Sequence, residues 1–95
     1  MHSDEPERSP ARQLQLSKQF AVGSISGPEF ETAFLQARGL NAGLADVLAD
    51  VLVQIFYGVD DYVADDELRP KIRGGIDEEQ LREIVRTQLR RLDGA

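Results

Sequence analysis

Residues 43–63, GLADVLADVLVQIFYGVDDYV, decide the fold. Leu44, Val47, Leu48, Val51, Leu52, Ile55, Phe56, Val59 and Tyr62 recur at steps of three and four, the spacing of one helical face. The apolar stripe is wide, which predicts a central helix covered by several neighbours. Roughly twenty residues in that state extend about 30 Å. Asp50, Gln54, Asp60 and Asp61 interrupt the run, so it does not read as a membrane span. Asp46 and Asp50 lie one turn apart on the side away from the stripe. Asp60 and Asp61 fall in the last turn, where negative charge opposes the helix dipole. Acids placed there at some cost to stability point to a use.

Upstream, two more helices are predicted. Residues 1–10 read as a flexible leader with Pro6, Pro10 and alternating charges. Ser9 and Pro10 form an N-cap and first-turn pair, and a helix runs from them to about residue 22. Gly23-Ser24 breaks it. Ser26 and Glu29 then make a capping box, with Ile25 and Phe30 able to staple around it. The second helix continues to about residue 38, with Phe30, Ala33, Phe34 and Ala37 on one face and Gly39 as its stop.

Downstream, residues 65–75 read as a loop with one helical turn at Asp66-Glu67-Leu68-Arg69, kept irregular by Pro70 and Gly74-Gly75. A last helix opens with Asp77 as cap, Gln80 closing the box and Ile76 stapled to Leu81. Leu81, Ile84, Val85, Gln88, Leu89 and Leu92 form its inner face. Arg82, Arg86, Arg90 and Arg91 crowd its middle and end, where the helix dipole favours cations. No strand pattern and no repeat is present. Four helices with short connections predict an all-α fold, an antiparallel four-helix bundle, as a single domain over residues 11–95.

Composition narrows the function. At 41% hydrophobic the chain is too apolar for intrinsic disorder. It has no Cys, and its single His is His2, in the leader. Cys nucleophiles, Cys- or His-based zinc sites and a Ser–His triad are therefore not expected. Asp60 and Asp61 as an acid–base pair fit poorly, because helical neighbours point about 100° apart. No calcium loop has the required spacing. No catalytic residue, metal or cofactor is predicted. The first residues lack the apolar core of a signal peptide, so the cytoplasm is the expected location.

The net charge of −6 is unevenly spread. Residues 41–70 hold seven acids, Asp46, Asp50, Asp60, Asp61, Asp65, Asp66 and Glu67, against Arg69 alone. The remainder carries ten acids and ten bases, so this third of the chain accounts for the whole imbalance. Such a field repels nucleic acid and favours a basic partner. A solvated acidic face also keeps a small protein soluble, so charge alone leaves both readings open.

The order of these features resembles the colicin D-type immunity proteins. The resemblance spans residues 16–92. It is carried by Ile25-Ser26-Gly27-Pro28-Glu29-Phe30, by Ile55-Phe56 with Val59-Asp60-Asp61-Tyr62, by Asp66-Glu67-Leu68-Arg69, and by Ile76-Asp77-Glu78-Glu79-Gln80-Leu81-Arg82. It implies a four-helix bundle that is not an enzyme and that blocks a cognate toxin, among them transfer-RNA-cleaving nucleases. The acidic surface would stand in for RNA phosphates. The expected partner is a basic toxin nuclease domain, bound as a heterodimer by an otherwise monomeric protein, without direct contact to nucleic acid or membrane. The expected toxin-facing cluster is Asp60, Asp61, Asp65, Asp66 and Glu67. Asp46 and Asp50 form a second strip. Tyr57 fits the stripe poorly and is a candidate anchor, whereas Tyr62 reads as core with its hydroxyl at the rim. Phe20, Phe30, Phe34 and Phe56 read as core. The alternative is a helical adaptor or self-associating subunit, with the stripe of the third helix at a dimer interface.

Overall fold

A computed structural model describes residues 9–38 and 46–94. Within them lie four α-helices: α1 (Pro10–Ala21), α2 (Gly27–Gln36), α3 (Asp46–Asp61) and α4 (Glu78–Asp93). One 3-10 turn, Arg69–Lys71, stands between α3 and α4. The most extensive packing is α3 against α4. Helix α1 lies against α2 and α4, and lightly against α3. The leader up to residue 8, the Gly39 stop and the Gly43-Leu44 start of the third helix lie outside the described residues.

The helix starts follow their caps. The Ser9 side chain accepts from the backbone N–H of Arg12, with Pro10 in the first turn. Ser26 with Glu29, and Asp77 with Gln80, both close reciprocal capping boxes. Each satisfies two backbone donors that a helix N-terminus otherwise leaves unpaired. Helix α1 stops at Gly23, which takes the positive φ of 84° that a side chain resists.

The core is built from the predicted faces. Phe20, Phe30 and Phe34 are completely buried, with the Phe20 and Phe30 rings parallel at 4.5 Å between centroids. Val51, Leu52, Ile55 and Val59 from α3 meet Leu81 and Val85 from α4 in the same cluster. The middle of the α3 stripe is thus covered within its own chain, while Val47, Leu48 and Phe56 are only partly buried. Gly58 lets the two helices approach closely, since a β-carbon there would stand 3.1 Å from Leu81.

Two expectations change. Phe56 is half-buried rather than core: its ring lies at the rim, covered by the Arg38 guanidinium at 4.2 Å. Helix α3 ends at Asp61, two residues early, because the Val63 N–H is taken by the Ile76 carbonyl. Ile76 in turn donates to Asp61, so Tyr62 and Ile76 form an isolated parallel bridge that closes the base of the intervening loop. The helical turn expected at residues 66–69 is present, with the Leu68 and Arg69 N–H groups both bonded to the Asp65 carbonyl, and it runs on into the 3-10 turn Arg69–Lys71. Asp65 starts that turn, its side chain accepting from the Glu67 N–H at 2.8 Å.

Candidate partner-binding surface

Helix α3 carries four Asp and no Lys or Arg. Residues advance about 100° each around a helix, which puts Asp46, Asp50, Val53, Tyr57, Asp60 and Asp61 within about 100° of one another. All six are exposed, on the side opposite Val51, Ile55 and Val59. They form one ridge about 22 Å long. Tyr57 is 56% exposed and Val53 39%, so the middle of the ridge is apolar and both ends are acidic. Val53, which is not among the site residues expected from the sequence, stands seven residues after Asp46 and so lies on the same face.

Five of the eight expected site residues therefore share α3, and the other three, Asp65, Asp66 and Glu67, continue from its C-terminal end into the loop. They do not all stand alike. Asp50 pairs with Arg91 of α4 at 2.6 Å, and Asp66 with Arg69 at 2.8 Å. Among the described residues no Lys or Arg comes within ion-pairing distance of Asp46, Asp60, Asp61, Asp65 or Glu67. Lys71 and Arg73 follow just after residue 70, on the return limb of the loop. They offset part of the negative charge of the loop, whereas α3 itself carries no Lys or Arg.

Where ridge and loop meet, a groove of about 420 Å³ opens. Asp60, Asp61 and Asp65 line it together with Glu31 from α2, the exposed Leu68 and Ile72, and Arg73. Burial pushes the Glu31 carboxyl above the ordinary carboxylate range. Glu31 could not be found from spacing: it is some thirty residues upstream in sequence, and only the packing of α2 brings it here.

Beneath the groove, Tyr62 links the surface to a polar junction. The tyrosine is buried, and burial followed by the nearby Glu78 and Glu31 carboxylates holds its phenol above the ordinary value. Its hydroxyl occupies the space in front of Gly27. The Glu78 carboxylate accepts from the Gly27 N–H at 2.8 Å and pairs with Arg82 at 2.9 Å. These bonds, the backbone one first, hold Glu78 below its usual range. Arg82 is buried, bonds Glu79 as well, donates through Nε to the Phe20 carbonyl at 3.0 Å, and lies over the Phe20 ring. Arg86 donates likewise to the Ala21 carbonyl at 3.0 Å. Both arginines thus cap the C-terminus of α1, a role beyond complementing the dipole of their own helix. Three of the four segments that carried the family resemblance converge here: Gly27 from the first, Tyr62 from the second, and Glu78 and Arg82 from the last.

A model of the bacterial self-protective colicin-like immunity family matches residues 11–92, a span that takes in nearly all of the four helices. The chain belongs to that family, whose members are generally non-enzymatic inhibitors of a cognate colicin-type toxin. No curated protein and no solved structure matches the chain. No helix among the described residues is long and apolar enough to cross a membrane.

Proposed function

We propose that this immunity protein is of the colicin D type and blocks a transfer-RNA-cleaving ribonuclease by filling its basic cleft with carboxylates. The observation that carries the reading is the ridge of α3: an exposed apolar centre at Val53 and Tyr57, flanked by Asp46 at one end and Asp60 and Asp61 at the other, with no ion pair to these three acids among the described residues. A nuclease that grips RNA presents cations spaced to meet phosphates. Carboxylates on a rigid helix can meet the same cations without offering a scissile bond. Opposite fields speed encounter, and a central aromatic anchor slows release. The loop acids Asp65, Asp66 and Glu67 extend the surface, and Asp50, already held by Arg91, contributes less. The complex is a heterodimer formed in the cytoplasm, where the producing cell's own transfer RNA needs protection, and requires no metal or cofactor.

The test is a cleavage assay. The purified chain is titrated into the toxin domain encoded beside it, with transfer RNA as substrate, at low and high salt. Stoichiometric loss of cleavage, with an affinity that weakens as salt rises, supports the reading. A bound toxin that still cleaves, or a toxin with no nuclease activity, overturns it.

A further inference from the structure

Arg69 is the single cation in residues 41–70, and it does not face outward with the acids around it. Its side chain is only 22% exposed. The guanidinium reaches two places at once, donating through Nε to the Val63 carbonyl at 3.0 Å and pairing with the Asp66 carboxylate at 2.8 Å. Its backbone N–H donates to the Asp65 carbonyl at 3.0 Å, and its own carbonyl accepts from Ile72 N–H. The side chain therefore ties the outgoing limb at Val63 to the acidic tip at Asp66, while backbone bonds carry the turn on to the return limb. A planar guanidinium fixes the angle between its partners in a way that an ammonium cannot.

We propose that Arg69 is a positioning residue for recognition: it holds Asp65, Asp66 and Glu67 in the geometry that the toxin meets, without touching the toxin. The proposal rests on the immunity reading above. Three consecutive carboxylates repel one another, and an unfastened loop would have to be ordered at the moment of binding. Arg69 supplies that order beforehand.

The sign of the effect separates this role from simple charge. Neutralising Arg69 takes the chain from −6 to −7. Toward a basic partner, added negative charge alone speeds association and tightens binding. Loss of positioning does the reverse. The variants are R69Q, which removes the charge, and R69K, which keeps the charge and loses the fork. Both are made in the full chain and compared by dissociation rate from the neighbouring toxin domain and by amide hydrogen exchange at Glu67 and Leu68. Both variants are expected to dissociate about tenfold faster, and both amides to exchange about tenfold faster, while the helical circular dichroism is retained. An R69Q chain that binds as tightly as the parent or tighter overturns the proposal. So does faster exchange with unchanged dissociation of both variants. If the unmodified chain does not bind the toxin domain, the immunity assignment of this surface falls instead. Unchanged exchange at Glu67 and Leu68 would then still overturn the ordering role of Arg69.

Discussion

Gly27 has no room for a β-carbon. One built there would stand 2.5 Å from the Tyr62 hydroxyl and 2.8 Å from a Glu78 oxygen. G27A must push both aside, and it breaks the junction of α2 with α4. The expected cost is about 1–3 kcal/mol in urea unfolding, the usual range for overpacking. A variant as stable as the parent would show that the junction yields freely. Glu78 gives a pH prediction at the same place. Its folded-state carboxyl titrates below its unfolded value, so its contribution is fully present above an unfolded pKa of about 4.3 and is lost as pH falls through the folded value. E78Q should therefore flatten the fall of melting temperature on acidification below about pH 5. At neutral pH it should cost no more than about 1 kcal/mol, because the side chain is 38% exposed and solvent screens the pair. Glu31 works in the opposite sense, since burial raises its carboxyl and protonation relieves that penalty. An E78Q melting curve as steep in acid as the parent's would exclude Glu78 as the group responsible.

At the scale of the element, α3 has a buried face and an exposed ridge, and the ridge is the surface proposed to meet the toxin. The inner face is committed to the core, so substitutions on the ridge should alter binding and leave folding nearly untouched. Combined charge reversal at Asp60, Asp61, Asp65 and Asp66 is expected to slow association with the toxin domain by at least tenfold at low salt. The thermal midpoint should move little, apart from the effects of losing the Asp65 turn and the Asp66–Arg69 pair. Y57A should act differently, speeding dissociation by the equivalent of about 2 kcal/mol while leaving the association rate close to the parent's. Stopped-flow association and a dissociation chase separate the two. If Y57A changes neither rate, the centre of the ridge is not the anchor.

For the whole molecule, the relevant quantity is how the charge is distributed once the chain is folded. Helix α4 spends Arg82 and Arg86 on the C-terminus of α1, and Arg91 on Asp50, while Arg38 covers Phe56. Many bases are thus engaged inside the fold or at its seams, and the ridge of α3 is left acidic. If the toxin is basic, as proposed, long-range attraction should accordingly dominate the encounter. The association rate is expected to fall several-fold or more between 50 and 500 mM salt, the dissociation rate much less. A salt-independent association rate would mean that the acidic ridge does not guide the partner. Light scattering of the mixture should give the mass of one chain plus one toxin domain.

Local chemistry was enough to determine the helices, because their signals are short-range. Ser9, Ser26 and Asp77 cap the residues that directly follow them, and the steps of three and four at Phe30, Phe34, Val51, Ile55, Leu81 and Val85 select the buried faces. The ridge was legible only in pieces: Asp46, Asp50, Tyr57, Asp60 and Asp61 stand out in the sequence as two acidic groups and an anchor, without Val53, although helical geometry alone puts all six on one side. Tertiary structure decided what lies between elements. Glu31 joins the acidic groove only through the placement of α2, and Arg82 reaches a carbonyl 62 residues away. Phe56 is held at the rim by Arg38, and the early end of α3 depends on a bridge to Ile76. Spacing along a chain carries no information about such pairs, because their distance is set by packing rather than by the period of a helix.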